Sequence, residues 1–242
     1  MKKDINSNRY IFMYATVLVV IVAALLSVAA IVLAPFQKNN KDNEKKVNIL
    51  SAAGIPNVNA DNAKQLFDKH CTAMFLLDGE GNITDETGKA FDADLKQELY
   101  KKAQGEPYGL PLFLIDSGND PTYVIPLQGT GLWGAIWGYI AIAADGNTVV
   151  GANFDHASET PGLGGEITTE GFQKQFAGKT IMDNGRFVSI KVQKGGILTL
   201  PESERSHAVD AITGGSITSK GVDAMVENVL RCYLPYFERI KK

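Results

Sequence analysis

GTGLWGAIWGYIAIAADGNTVVGANF, Gly129 to Phe154, decides the fold class. Gly129, Gly131 and Gly134 satisfy G-x-G-x-x-G. A dinucleotide-binding turn needs a helix immediately after it, so that the helix N-terminus meets the pyrophosphate. The next residues are instead the apolar run Ala135–Ala144, closed by Asp145-Gly146-Asn147, and then a second strand-like run, Thr148–Phe154. Turn residues between two apolar runs predict a β-hairpin. The Rossmann reading therefore fails, and an antiparallel or mixed sheet is expected.

Working outward, Cys71–Leu77 is an apolar run closed by Asp78-Gly79 and Gly81-Asn82, a strand and turn. Leu112–Ile115 and Tyr123–Leu127 read as short strands around Gly118-Asn119-Asp120-Pro121. Phe187–Val192 alternates like a half-buried strand. Helices are expected at Asn48–Leu50, Asn62–Phe67, Asp92–Ala103 and Gly171–Phe176. Gly221–Tyr233 places Val222, Met225, Val226, Val229 and Leu230 at helical spacing. Strands and helices mix without a regular βαβ rhythm, and no internal repeat is found. The predicted class is α+β.

Toward the N-terminus, Tyr10–Leu33 carries no charged residue. As a helix it would span roughly 36 Å at about 1.5 Å per residue, against a bilayer core about 30 Å thick. Secretory signal cores are shorter, about 7–15 residues, so a retained anchor is predicted. Tyr10, Phe12 and Tyr14 suit one membrane interface, and Pro35 is expected to end the helix. Gln37–Lys46 reads as a polar juxtamembrane spacer. The expected organisation is a stub (1–9), a transmembrane helix (10–33), a linker (34–47) and one soluble domain (48–242). Lys2, Lys3 and Arg9 precede the span and Lys38, Lys41, Lys45 and Lys46 come after it, so charge alone does not orient it.

A net charge of −3 over 242 residues gives no basic footprint for nucleic acid. Cys71 and Cys232 are too few and too far apart for a zinc or iron–sulfur site. Two buried thiols are expected, with a disulfide as the alternative. FAGKT, Phe176–Thr180, lacks the upstream glycine of a P-loop, since position 173 is Gln173. His70, His156 and His207 form no ligand pair, and there is no G-x-S-x-G. No metal site and no catalytic residue is predicted.

Three stretches could bind a ligand. In DAITGGSITS, Asp210–Ser219, Gly214 and Gly215 leave backbone N–H groups approachable, and Ser216 and Thr218 offer hydroxyls. Thr218 or Ser219 could cap the next helix, whose N-terminus would attract an anion. The plainer reading is a glycine turn before a capped helix. In ETPGLGGE, Glu159–Glu166, Pro161 stiffens a loop whose glycines allow close approach to a flat ligand. Thr160 could bond ring edges and Leu163 could press on a ring face, with Gly162 and Gly164 making room. A rigid surface loop would look the same. In GLWGAIWGY, Trp133 and its neighbour Trp137 could form an aromatic wall or simply fill a core strand.

Together, and in this order behind one N-terminal anchor, these stretches resemble the NqrC family, the flavin-carrying C-type component of the sodium-translocating NADH:quinone oxidoreductases. The resemblance covers nearly the whole chain. That family carries Asp-x-x-Ser/Thr-Gly-Ala-Thr, whose last hydroxyl is esterified to the phosphate of FMN. Here Asp210, Thr213 and Gly214 match, while Gly215 replaces the alanine and Ser216 the threonine. Serine keeps the hydroxyl, and Thr218 is the fallback acceptor.

The resemblance implies FMN held covalently on Ser216 by a flavin transferase that uses FAD. The flavin would lie against Glu159–Gly164. It further implies a single-pass subunit of a bacterial inner-membrane complex, its soluble domain periplasmic. The complex relays electrons from NADH toward ubiquinone or menaquinone, coupled to sodium export. Asp210 would then assist the transferase or form a structural turn. The related G-type flavoprotein of the Rnf-type ferredoxin–NAD oxidoreductases shares these features, although the GLW segment and GLGGE lean toward the sodium pump. An anchored, non-redox binding protein is the remaining reading.

Overall fold

The computed structural model describes residues 7–118 and 120–240. Lys2 and Lys3 of the expected stub, and Asn119 of the expected turn, lie outside the described residues. The chain divides into two units, 1–45 and 46–242, a boundary inside the predicted linker. Helix α1, Asn8–Ala52, belongs partly to each. Its N-terminal part is long and apolar enough to cross a membrane, with none of that window buried against protein.

The helix does not stop at Pro35 as predicted, and the expected spacer Gln37–Lys46 is helical. A proline inside a helix removes one N–H bond and crowds the preceding turn, costing about 3 kcal/mol. The stretch beyond it mixes helix-favouring Lys and Glu with the weaker helix formers Asn and Asp, so its own propensity is modest. The last turn is further held by Ile49, Leu50 and Ala52, all buried in the second unit. The predicted piece Asn48–Leu50 is thus the end of α1.

The second unit is built on a six-stranded antiparallel sheet. In chain order it contains α2 (Ala63–His70), β1 (Cys71–Leu77), β2 (Ile83–Asp85), α3 (Leu95–Gln104), β3 (Leu110–Asp116) and β4 (Pro121–Thr130). Then come β5 (Ala135–Ile142) and β6 (Val149–His156), and the sheet order is β2-β1-β3-β4-β5-β6. The α+β expectation holds. The β5–β6 hairpin forms as read: the Asp145 carboxylate accepts the N–H groups of Asn147 and Thr148, and Gly146 takes φ +63°. Helix α3 starts at an Asp94 cap, whose carboxylate accepts the Lys96 N–H at 2.9 Å.

Alternation along the strands builds two cores. Leu110 and Leu112, Ile125 and Leu127, and Ile136 and Ile140 pack in one cluster with Val222, Met225, Val226 and Tyr233. Phe113 and Ile115, Val124, and Tyr139 and Ala141 pack in the other with Ile49, Leu50 and Phe67. A period of two puts each set on its own face of the sheet.

The remaining elements are α4 (Glu170–Gln173), β7 (Met182–Asp183), β8 (Arg186–Phe187), β9 (Lys191–Gln193), β10 (Ala208–Asp210) and α5 (Ser216–Ile240). Strands β9 and β10 pair in parallel, and β7 and β8 antiparallel. The strand expected over Phe187–Val192 is broken. Ser189 adopts φ +64°, and the N–H groups of Val188 and Ser189 both reach the Ile181 carbonyl. The alternation read as one strand therefore spans a turn between β8 and β9.

Both cysteines are half-buried free thiols, so neither the expected full burial nor a disulfide is seen. Burial pushes the Cys71 thiol up to about 11, against a smaller lowering contribution from a backbone hydrogen bond at Ala73. The Cys232 Sγ lies 2.8 Å from Lys102 Nζ.

Candidate functional site

Helix α5 begins several residues earlier than its apolar spacing suggests. Gly214 turns the chain with φ +79°, and Ser219 donates its N–H to the Gly215 carbonyl at 2.8 Å. Ser216 is consequently the first helical residue, not a loop residue before the cap. Thr218 and Ser219 do not cap the helix as expected. The Ser219 hydroxyl accepts the Ile212 N–H, and the Thr218 hydroxyl donates to Glu159 Oε2 at 2.5 Å. The N–H groups of Ser216, Ile217 and Thr218 have no helical carbonyl four residues back, which leaves the positive end of a 25-residue helix open.

The turn before α5 meets the two other stretches in one cavity of about 410 Å³. Its lining includes Leu132 and Trp133 from the β4–β5 connection, and Glu159, Thr160, Leu163 and Gly164 from the loop after β6. Gly214, Gly215, Ser216, Ile217 and Thr218 complete it. Ligand cavities commonly fall between about 300 and 1,000 Å³. Three larger clefts, of about 750, 770 and 540 Å³, lie elsewhere, and none brings two of these stretches together.

Glu159 is the hub. It is 4% exposed. Its Oε1 accepts the Trp133 N–H at 2.8 Å while Oε2 takes the Thr218 hydroxyl. Its own N–H donates to His156 Nδ1 at 3.1 Å. Burial pushes its carboxyl upward, but the Thr218 hydroxyl and the N–H groups of Trp133, Gly134 and Leu132 outweigh that. They hold it below its ordinary 4.5.

A depressed carboxylate contributes stability that is complete above the unfolded value and is lost as pH falls through the folded one. Acid unfolding followed between pH 6 and pH 2, about the range where carboxylates titrate, should therefore show a component below about 4.5. Glu159→Gln should lack it.

Two glycines make room for this carboxylate. A Cβ on Gly131 would sit 2.5 Å from Glu159 Oε1, and one on Gly164 would sit 2.5 Å from Oε2.

Of the predicted residues, Ser216, Gly214, Gly215, Thr218, Glu159, Thr160, Leu163, Gly164 and Trp133 line the cavity. Asp210, Thr213 and Gly162 do not. The Asp210 carboxylate accepts the Ile197 N–H at 2.6 Å, and its N–H donates to Gln175 Oε1. Gly162, at φ +75°, closes its loop by donating to Glu166 Oε1. Thr213 is exposed. Trp137 is half-buried on β5 and lines a different cleft, so the aromatic wall is Trp133 alone.

Leu132 and Ile217 were not predicted. Leu132 stands inside the quoted GLW. Ile217 is an apolar residue out of phase with the buried face of its helix, which was the available signal.

The residues fit FMN. Leu132, Trp133, Leu163 and Ile217 offer exposed apolar walls to a ring system, and the open helix N-terminus suits a phosphodiester. At Gly215 a Cβ would stand 3.0 Å from Ile212 Cγ2 and 3.2 Å from the Gly164 N, close contacts that shifts of a few tenths of an ångström would relieve.

The FMN-binding domain family matches residues 131–231, which contain the whole cavity lining. The NqrC component of the Na(+)-translocating NADH-quinone reductase of Neisseria meningitidis is 31% identical, covering 99% of this chain and 96% of its own. Its counterpart from Pseudomonas aeruginosa is 30% identical over 87% of this chain and 88% of its own. The crystal structure of the corresponding Parabacteroides distasonis protein superposes with a TM-score of 0.74 at 38% identity, covering 85% of this chain and 96% of the other. Shewanella oneidensis NqrC gives 0.69 at 25% identity, covering 83% and 98%. The fold, the cavity and this end-to-end similarity agree: the chain belongs to the NqrC family of the Na+-translocating NADH-quinone reductases.

Proposed function

We propose that this chain carries FMN in phosphoester linkage to Ser216 and relays electrons singly within a sodium-exporting NADH:quinone reductase. The observation that carries this reading is the position of Ser216. It opens α5 at the wall of the cavity and is half-buried, and its hydroxyl has no hydrogen-bond partner among the described residues. Thr218, the fallback acceptor, is 1% exposed with its hydroxyl given to Glu159. A flavin transferase can approach the first and not the second.

In the attachment step the Ser216 Oγ bonds to the FMN phosphorus of FAD. The pyrophosphate P–O bond breaks, AMP leaves and the hydroxyl proton is lost. The product phosphodiester keeps one negative charge. Gly214, Gly215 and the N–H groups of the first turn of α5 would hold that charge. Leu132, Trp133, Leu163 and Ile217 would shield the ring from water, and Thr160 would offer its hydroxyl to a polar ring edge. Bound FMN supplies the redox chemistry, and no side chain acts as a catalytic acid or base. Asp210, committed to Ile197, braces the loop before Ser216 for the transferase.

In this reading residues 10–33 cross the inner membrane once and residues 48–242 form the periplasmic domain. The other subunits deliver electrons from NADH and pass them on to ubiquinone or menaquinone. Peptide mass mapping of the full chain, co-expressed with an active transferase, tests the attachment. The peptide containing Ser216 should gain FMN less one water, and Ser216→Ala should remove the gain completely. FMN mapped to Thr218 would refute the assignment.

A further inference from the structure

Among the described residues the charge on Glu159 has no counter-ion: no Lys, Arg or His forms an ion pair with it. The Glu159 backbone N–H, not its carboxylate, is bonded to His156 Nδ1. Everything that holds the carboxylate is a dipole: the N–H groups of Leu132, Trp133 and Gly134, the Thr218 hydroxyl, and the open end of α5. Dipoles keep a carboxylate ionised but do not cancel its charge. The group is buried and forms part of the cavity wall, so its field reaches whatever occupies the cavity with little screening by water.

Resting on the FMN reading above, we propose that Glu159 is a fixed anion that lowers the reduction potential of the flavin held in this cavity. An electron taken up from the donor adds negative charge beside one already in place, and that uptake is disfavoured. The oxidised flavin gains no comparable penalty. The effect is electrostatic, so it depends on charge and not on the shape of the side chain.

The test is a spectroelectrochemical titration of the full chain in detergent, loaded by a flavin transferase, at one fixed pH. Loading is scored first by in-gel fluorescence. Glu159→Gln should raise the midpoint potential, and Glu159→Asp, which keeps the charge, should stay near the wild type. Thr218→Val removes a donor that damps the carboxylate field and should lower the potential. An unchanged potential in Glu159→Gln overturns the proposal. So does a shift in Glu159→Asp equal to that in Glu159→Gln, which would make the role one of packing. If Glu159→Gln takes up no flavin, Thr218→Val decides: a lowered potential supports the proposal, and an unchanged or raised one overturns it. A wild type without fluorescence, with the transferase active on a control, overturns the cofactor reading and this proposal with it. A fluorescent wild type with insensitive potentials overturns this proposal alone.

Discussion

Gly164→Ala should load with FMN about tenfold less than the wild type, or worse. The added Cβ would collide with Thr218 Oγ1 and stand 2.5 Å from Glu159 Oε2. Neither neighbour can step aside cheaply. Thr218 is fixed in the first turn of α5, and Glu159 is tied to the backbone of the β4–β5 connection. Overpacking costs about 1–3 kcal/mol, and losing a hydrogen bond to a charged group adds about 1.5–3 kcal/mol. Each ~1.4 kcal/mol is a factor of ten in an equilibrium. Relief requires the first turn of α5 to move, and that turn carries the acceptor Ser216. Quantitative in-gel fluorescence against total protein measures the loading. Wild-type loading would show that the contact among Gly164, Thr218 and Glu159 does not govern the acceptor.

Tyr233→Ala should destabilise the second unit by about 3–5 kcal/mol, the range for removing a large buried side chain. Tyr233 is fully buried among the strands that α5 covers, and its hydroxyl donates to the Pro111 carbonyl at 2.8 Å. That bond ties α5 to β3 across the core. Tyr233→Phe keeps the ring and loses only the hydrogen bond, so it should cost about 1 kcal/mol. Urea unfolding of both variants separates packing from hydrogen bonding. A Tyr233→Ala loss no larger than that of Tyr233→Phe would contradict the account of α5 as the principal cover of this face.

The hairpin of β5 and β6 was legible because its signals are local: an apolar run, Asp145-Gly146-Asn147, and a second run. The same holds for β1, which forms over the predicted Cys71–Leu77. Where the reading failed, the deciding contacts lie far away in sequence. Pro35 looks like a terminator until the burial of Ile49 and Leu50 is counted. Alternation over Phe187–Val192 cannot reveal that Ser189 turns the chain toward Ile181. The start of α5 was misplaced because Ser216, Ile217 and Thr218 face the cavity, not the core that sets the helical period.

The candidate site was legible as three stretches, and the cavity unites them. Glu159 was read only as one residue of a loop touching flavin. Its partners Trp133 and Thr218 stand 26 and 59 residues away in sequence, so only the folded chain displays it as the joint between all three stretches. Asp210 matched a motif position, yet its carboxylate turns to Ile197 and away from the cavity.

The central claim is that Ser216 carries the flavin. The most direct measurement is a denaturing gel viewed under ultraviolet light, with the full chain and Ser216→Ala each co-expressed with a flavin transferase. A fluorescent wild-type band and a dark Ser216→Ala band are the result expected. A fluorescent Ser216→Ala band would move the bond to another residue, and a dark wild-type band beside a labelled control protein would contradict covalent FMN altogether.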